Sequence, residues 1–135
     1  MNRRGFLSGI LATSAAVLIL ALLTGPLAAA QAPAPGDAHR GAALFQHCAA
    51  CHSVEPGVQL TGPSLAAIWN RRAATVPGFG RYSEALKRAG LTWDAATLDR
   101  WLQRPQAVVP DTTMTFPGIQ DARARADLIA YVNSH

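Results

Sequence analysis

Helical periodicity is clearest in two well-separated stretches of the chain. In the first, Gly41, Leu44, Phe45 and Cys48 share one side of a predicted helix running through Arg40 to Cys48, and Asp37 stands where it can cap the first turn. In the second, Asp121 caps a helix over Ala122–Ser134, with Ala124, Leu128, Tyr131 and Val132 along one side. Glycine inside a helix costs about 1 kcal/mol against alanine. Gly41 on the apolar side therefore points to a close crossing, with the last helix as partner. Two shorter helices are predicted between them, Ser83–Ala89 ending at Gly90 and Asp94–Gln103 ending before Pro105. A single turn is predicted from Ser64 to Trp69. Strand-like alternation is absent and the connections are rich in Gly and Pro. This is the pattern of an all-α domain of 3–5 short helices whose first and last members cross.

Before Asp37 the pattern changes. Met1-Asn2-Arg3-Arg4-Gly5 is basic, Phe6 to Leu27 is uncharged and mostly apolar, and Ala28-Ala29-Ala30 are small. That order is a secretory signal peptide over residues 1–30, with cleavage expected after Ala30. The alternative is an uncleaved membrane anchor, because residues 6–27 can span a core of ~30 Å. Gly9, Thr13, Ser14, Thr24, Gly25 and Pro26 dilute the run and favour cleavage. Gln31–Gly36 reads as an extended linker, which leaves one domain, residues 37–135, outside the cytoplasm. The periplasm is the expected compartment.

The chemistry is concentrated in Cys48-Ala49-Ala50-Cys51-His52, which holds the only two cysteines. A C-x-x-C-H run reads as a covalent attachment site for one c-type haem. Residues three apart on a helical turn face the same side, so both thiols can bond one porphyrin. His52 follows at the next position and can rise beneath the iron as its proximal ligand. A thioredoxin-like pair would need a βαβ pattern, which the chain lacks. A zinc site would need more ligands at suitable spacing.

Histidine-ligated iron has a second axial position, closed or open. Met114 is the one methionine outside the initiator, and it lies in a stretch with no helical period, Pro110-Asp111-Thr112-Thr113-Met114-Thr115-Phe116-Pro117-Gly118. Such a loop can wrap to the opposite haem face. His47 lies too near the attachment turn to reach that face, His39 precedes it, and His135 is terminal. Met114 is the expected second ligand. With both positions filled the iron is closed to substrates, which favours a one-electron carrier. The competing class is a haem enzyme or gas sensor with an open sixth position.

Charge adds little. The domain has ten of the twelve Lys and Arg residues, only Lys87 being lysine, against all eight Asp and Glu. There is no basic run to suggest nucleic acid. No Ser-His-Asp, paired-carboxylate or phosphate-loop pattern is present.

Several stretches together resemble class I cytochrome c of the mitochondrial and bacterial c2 type. They are Gly41…Phe45, Cys48-Ala-Ala-Cys-His52, Thr61-Gly62-Pro63-Ser64-Leu65, Pro77-Gly78-Phe79, Gly90-Leu91-Thr92-Trp93, Leu98…Trp101-Leu102…Pro105, Pro110-Asp-Thr-Thr-Met114 and Ala126-Asp127-Leu128-Ile129-Ala130-Tyr131. The resemblance implies a single cytochrome c fold wrapped around one haem, acting as an electron shuttle between redox proteins or as the cytochrome subunit of a dehydrogenase. It implies that the Pro63 carbonyl accepts the His52 Nδ1–H, and that Trp93, Arg71 (with Arg72 as fallback) and Tyr82 bond the haem propionates. Tyr82 follows Gly80-Arg81 at a spacing one residue longer than in the family. Trp101 stands where the family usually has a tyrosine near the methionine sulfur.

The largest departure is on the surface. Lysines usually ring the family's exposed haem edge, yet the matching positions are Val58, Leu60, Gln106, Ala107, Thr113, Gln120 and Asp121. An apolar contact patch around Leu60, Val108, Val109 and Pro117 is expected instead. Electrostatic steering is lost with added salt, so electron-transfer rates here should depend only weakly on ionic strength. A tenfold slowing between low and high salt in stopped-flow measurements would contradict this.

Overall fold

The computed structural model describes residues 35–135. The leader and most of the linker lie outside the described residues, and among those described no helix is long and apolar enough to cross a membrane. Five helices follow in order: α1 (Ala38–Phe45), α2 (Glu84–Arg88), α3 (Ala95–Gln103), α4 (Pro105–Val108) and α5 (Ala122–Asn133). One isolated antiparallel bridge, Arg72 to Thr92, is the only extended pairing among the described residues.

Four of the helices begin as the sequence dictates. The side chains of Asp37, Ser83, Asp94 and Asp121 accept from the backbone N–H groups of Arg40, Leu86, Thr97 and Ala124. Each satisfies a donor that helical bonding leaves orphaned. α2 ends just before Gly90, which takes a left-handed φ of +65°.

Two elements differ from expectation. α1 stops at Phe45, not at Cys48, and the chain tightens into turns: Cys48 N–H donates to Phe45 O at 2.7 Å and Cys51 N–H to Cys48 O at 3.0 Å. α4 was not anticipated. Pro105 ends α3 because it forces Arg104 into extended backbone (φ −165°), and the same proline opens α4 as its first residue. A first helical residue has no use for an N–H, so one proline can serve both roles.

Gly41 is where α1 crosses α5. A Cβ there would collide with the carbonyl oxygen of Asp127 and stand 2.7 Å from Tyr131 Cβ. Beside it Phe45 and Tyr131 pack with ring centroids 5.3 Å apart. Asp127 ties the crossing together. Its carboxylate accepts from Arg40 Nε at 2.7 Å, Arg40 Nη2 at 2.8 Å and the Asp37 backbone N–H at 2.7 Å. The Arg40 bond first, and the Asp37 N–H second, hold this carboxyl down at about 2, against an ordinary 3.8.

A carboxyl depressed in the folded state contributes stability that is complete above its unfolded value and vanishes as pH falls through the folded one. Stability should therefore decline between 3.8 and about 2. Arg40→Met should flatten that acid limb in guanidinium titrations. An unchanged limb would show that the pair is not linked to acid unfolding.

Candidate functional site

The turn after α1 carries Cys48, Cys51 and His52. His52 N–H donates back to Cys48 O at 2.9 Å and Ala49 N–H to Phe45 O at 3.0 Å, so helical-type bonds persist where the helix does not. The first of these keeps the three residues on a common turn, with Cys48 half-buried and Cys51 exposed. Burial pushes the Cys48 thiol up. All three side chains reach the wall of one cavity of about 230 Å³.

The imidazole of His52 is held from two sides. Its Nδ1 lies 2.7 Å from Pro63 O. A carbonyl only accepts, so the proton sits on Nδ1 and Nε2 keeps its lone pair. Behind the ring lies Gly62, where a Cβ would collide with Cε1 and stand 2.7 Å from Nδ1. Only glycine lets the backbone approach that closely. Gly62 N–H donates to Cys51 O at 2.7 Å and Leu65 N–H to Ser53 O at 2.8 Å, stitching this loop to the cysteine turn. Burial lowers the His52 pKa, partly opposed by the Pro63 bond. The ring is thus kept neutral, the form that ligates a metal.

Met114 and Thr112 reach the same cavity from the loop after α4, and Trp101 of α3 and Trp93 just before it line the cavity too. Trp93 and Trp101 meet edge to face, centroids 5.1 Å apart. Tyr82 also lines the cavity. Its hydroxyl accepts from Val76 N–H at 3.2 Å, which leaves its own proton to donate. Burial is the main reason its pKa is raised. Of the sequence-predicted residues, Cys48, Cys51, His52, Pro63, Tyr82, Trp93 and Met114 converge here.

Arg71 does not. Its Nε donates to Ala67 O at 3.2 Å, and its backbone carbonyl accepts from Trp93 N–H at 2.9 Å. Arg72, the fallback, is exposed and engaged in the bridge to Thr92. The basic residue that does line the cavity is Arg81, unassigned from the sequence. Its guanidinium lies 4.8 Å from the Phe79 ring centroid and donates to Leu60 O. The lengthened spacing at Gly80-Arg81 was the available clue. None of His39, His47 and His135 lines the cavity.

The walls fit a haem. Eight of the eleven core residues (Phe45, Ile68, Leu86, Trp93, Leu98, Trp101, Leu128 and Val132) also line the cavity, so the core is built around an apolar body. The donor set agrees: two thiols on one turn, a neutral imidazole and a thioether, all suited to haem attachment and ligation. Gly62 leaves room for the His52 ring where any side chain would intrude on it.

All seven positions at which the resemblance leads lysines to be expected are exposed, and Asp121 alone of them is charged. Val58 and Leu60 are 45% and 40% exposed. The expected apolar patch is smaller than anticipated, because Val109 is buried in the core at 3% exposure. Its N–H is bonded to Pro105 O at 2.9 Å.

Comparison with known proteins agrees with this geometry. The family model described as Cytochrome c matches residues 38–135. The chain is 45% identical over 107 residues to cytochrome c2 of Rhodomicrobium vannielii, covering 76% of this chain and 82% of that protein. It is 43% identical to cytochrome c of Euglena viridis, covering 73% and 97% respectively. Among solved structures, cytochrome cH from Methylobacterium extorquens superposes with a TM-score of 0.70 at 40% identity, covering 74% of this chain and all of that one. This chain belongs to the cytochrome c family, with covalent haem c as its cofactor and electron transfer as its work.

Proposed function

We propose that this protein is a one-electron carrier in which His52 and Met114 are the two axial ligands of the haem iron. The observation that carries this reading is that two distant segments place an imidazole with a free Nε2 and a thioether on the same apolar cavity. The haem supplies one reversible electron, and methionine ligation favours its reduced state. The chain's residues do the rest. Cys48 and Cys51 anchor the group, Pro63 and Gly62 fix the His52 ring, and the tryptophans and leucines exclude water. Tyr82 and Arg81 offer donors for the propionates. Filling both axial positions leaves no room for a substrate at the iron, which suits a carrier.

The test is the ferric absorption spectrum of the holoprotein. A low-spin Soret band with a thioether-to-iron charge-transfer band is expected, and Met114→Ala should abolish that band while the haem stays covalently bound. High-spin ferric iron in the unaltered protein would overturn the reading in favour of an open-site enzyme or sensor. The protein's partners are then other redox proteins, met at a rim that lacks the expected ring of lysines, as a free shuttle or within a dehydrogenase complex. The basic, apolar and small-residue order of residues 1–30 supports export to the periplasm. An intact mass of Gln31–His135 plus one haem would test that export and cleavage.

A further inference from the structure

The loop that carries Met114 has almost no bonds of its own. Asp111, at its start, is held at a left-handed φ of +66°. Thr112 N–H donates to Val109 O at 3.2 Å, and Met114 N–H reaches Thr112 Oγ1 only at 3.5 Å. The chain is next pinned at Ile119, whose N–H donates to Leu102 O at 2.8 Å. Between these points one side chain spans the gap. Gln106 Nε2 donates to Thr112 O at 3.2 Å and to Met114 O at 3.1 Å. Among the described residues, the main chain of 113–118 has no other hydrogen-bond partner outside the loop.

The donor stands on firm ground. Gln106 belongs to α4, whose first residue, Pro105, is among the most deeply buried in the protein. Val109, closing α4, is also buried and bonds back to Pro105 O at 2.9 Å. A side chain on a fixed base thus grips both sides of Thr113.

We propose that Gln106 is a positioning residue for Met114, a clasp that sets how often the loop opens and so how accessible the sixth iron position is to an outside ligand. The proposal rests on Met114 being that ligand. Opening the loop breaks both Gln106 bonds, and an added ligand binds only the open form. Its apparent affinity is therefore scaled by the open fraction. Losing two partly exposed hydrogen bonds should raise that fraction about tenfold.

The experiment is an imidazole titration of the ferric holoprotein, followed through the Soret band and the thioether charge-transfer band. Gln106→Met keeps the length of the stem and removes both donors. It should bind imidazole about tenfold more tightly than the unaltered protein. Gln106→Glu, which turns an oxygen toward the two carbonyls, should bind at least as tightly as Gln106→Met. Amide exchange over 110–116 should accelerate in both variants, with exchange in α5 unchanged.

Unaltered imidazole affinity in Gln106→Met would overturn the clasp. So would exchange that accelerates equally in the loop and in α5, which would make Gln106 a general stabiliser. Met114→Ala separates this from the underlying reading. If that variant binds imidazole no more tightly than the unaltered protein, Met114 is not the ligand and both fail. If it binds much more tightly while Gln106→Met does not, only the clasp fails.

Discussion

A Cys48→Ala, Cys51→Ala variant prepared free of haem is expected to lose its cooperative fold. The reason lies in where the core residues sit. Eight of the eleven wall the cavity that would hold the haem, so a large part of the core faces that group rather than protein. A cavity of about 230 Å³, at ~24 cal/mol per Å³, corresponds to roughly 5–6 kcal/mol. A domain of this size has a total stability of about 5–15 kcal/mol. The loss thus consumes between about a third and all of that stability, and the helices are too short to persist alone. Far-UV circular dichroism should show little helix, and guanidinium titration should show no sharp transition. A cooperative transition with near-native helicity in the haem-free chain would refute this account.

The second large effect is expected at Gly41. Alanine is the better helix former by about 1 kcal/mol, so propensity alone predicts that Gly41→Ala stabilises. Packing opposes it. The new Cβ would meet the Asp127 carbonyl and Tyr131 Cβ, and the first of these is backbone that cannot swing aside. Overpacking of a tight site costs about 1–3 kcal/mol and occasionally more. Here the shift also pulls Asp127 away from Arg40 and from the Asp37 N–H, so the clash outweighs the propensity. A net loss of about 2–3 kcal/mol corresponds to a fall in Tm of roughly 10–20 °C. Calorimetry of the holoprotein measures it directly. A Tm equal to or above that of the unaltered protein would mean that α1 and α5 separate more easily than the geometry allows.

What could be read from the sequence was mostly local. Asp37, Ser83, Asp94 and Asp121 announce their helices because a cap acts across three residues and needs no tertiary partner. The cysteine turn is equally local, and its spacing held even though the helix stopped at Phe45. Gly41 was legible because a glycine on an apolar helical face is costly unless something approaches closely.

What is not legible locally depends on distant chain. Pro105 by itself signals only a stop, since nothing nearby shows that Pro105–Val108 forms a turn of helix. Arg71 and Arg81 are both cations in long loops. Which one faces the cavity depends on the path from Ala67 to Tyr82, where Ala67, Asn70 and Ala74 all take left-handed φ values. No residue pattern identifies an alanine in that conformation. Val109 has the composition of a contact patch, but it closes α4 on the buried side and belongs to the core.

The arrangement of the core around its cofactor also bears on how the cell keeps defective copies out of circulation. A protein whose core closes only on its prosthetic group has no compact, empty counterpart to compete for its partners. Copies that miss attachment stay open, and open chains are what proteases cut. Phe45, Leu98, Trp101 and Leu128, which wall the cavity in the loaded protein, would be exposed cleavage targets in the empty one. Folding thus doubles as inspection, and survival itself certifies that a molecule can carry an electron.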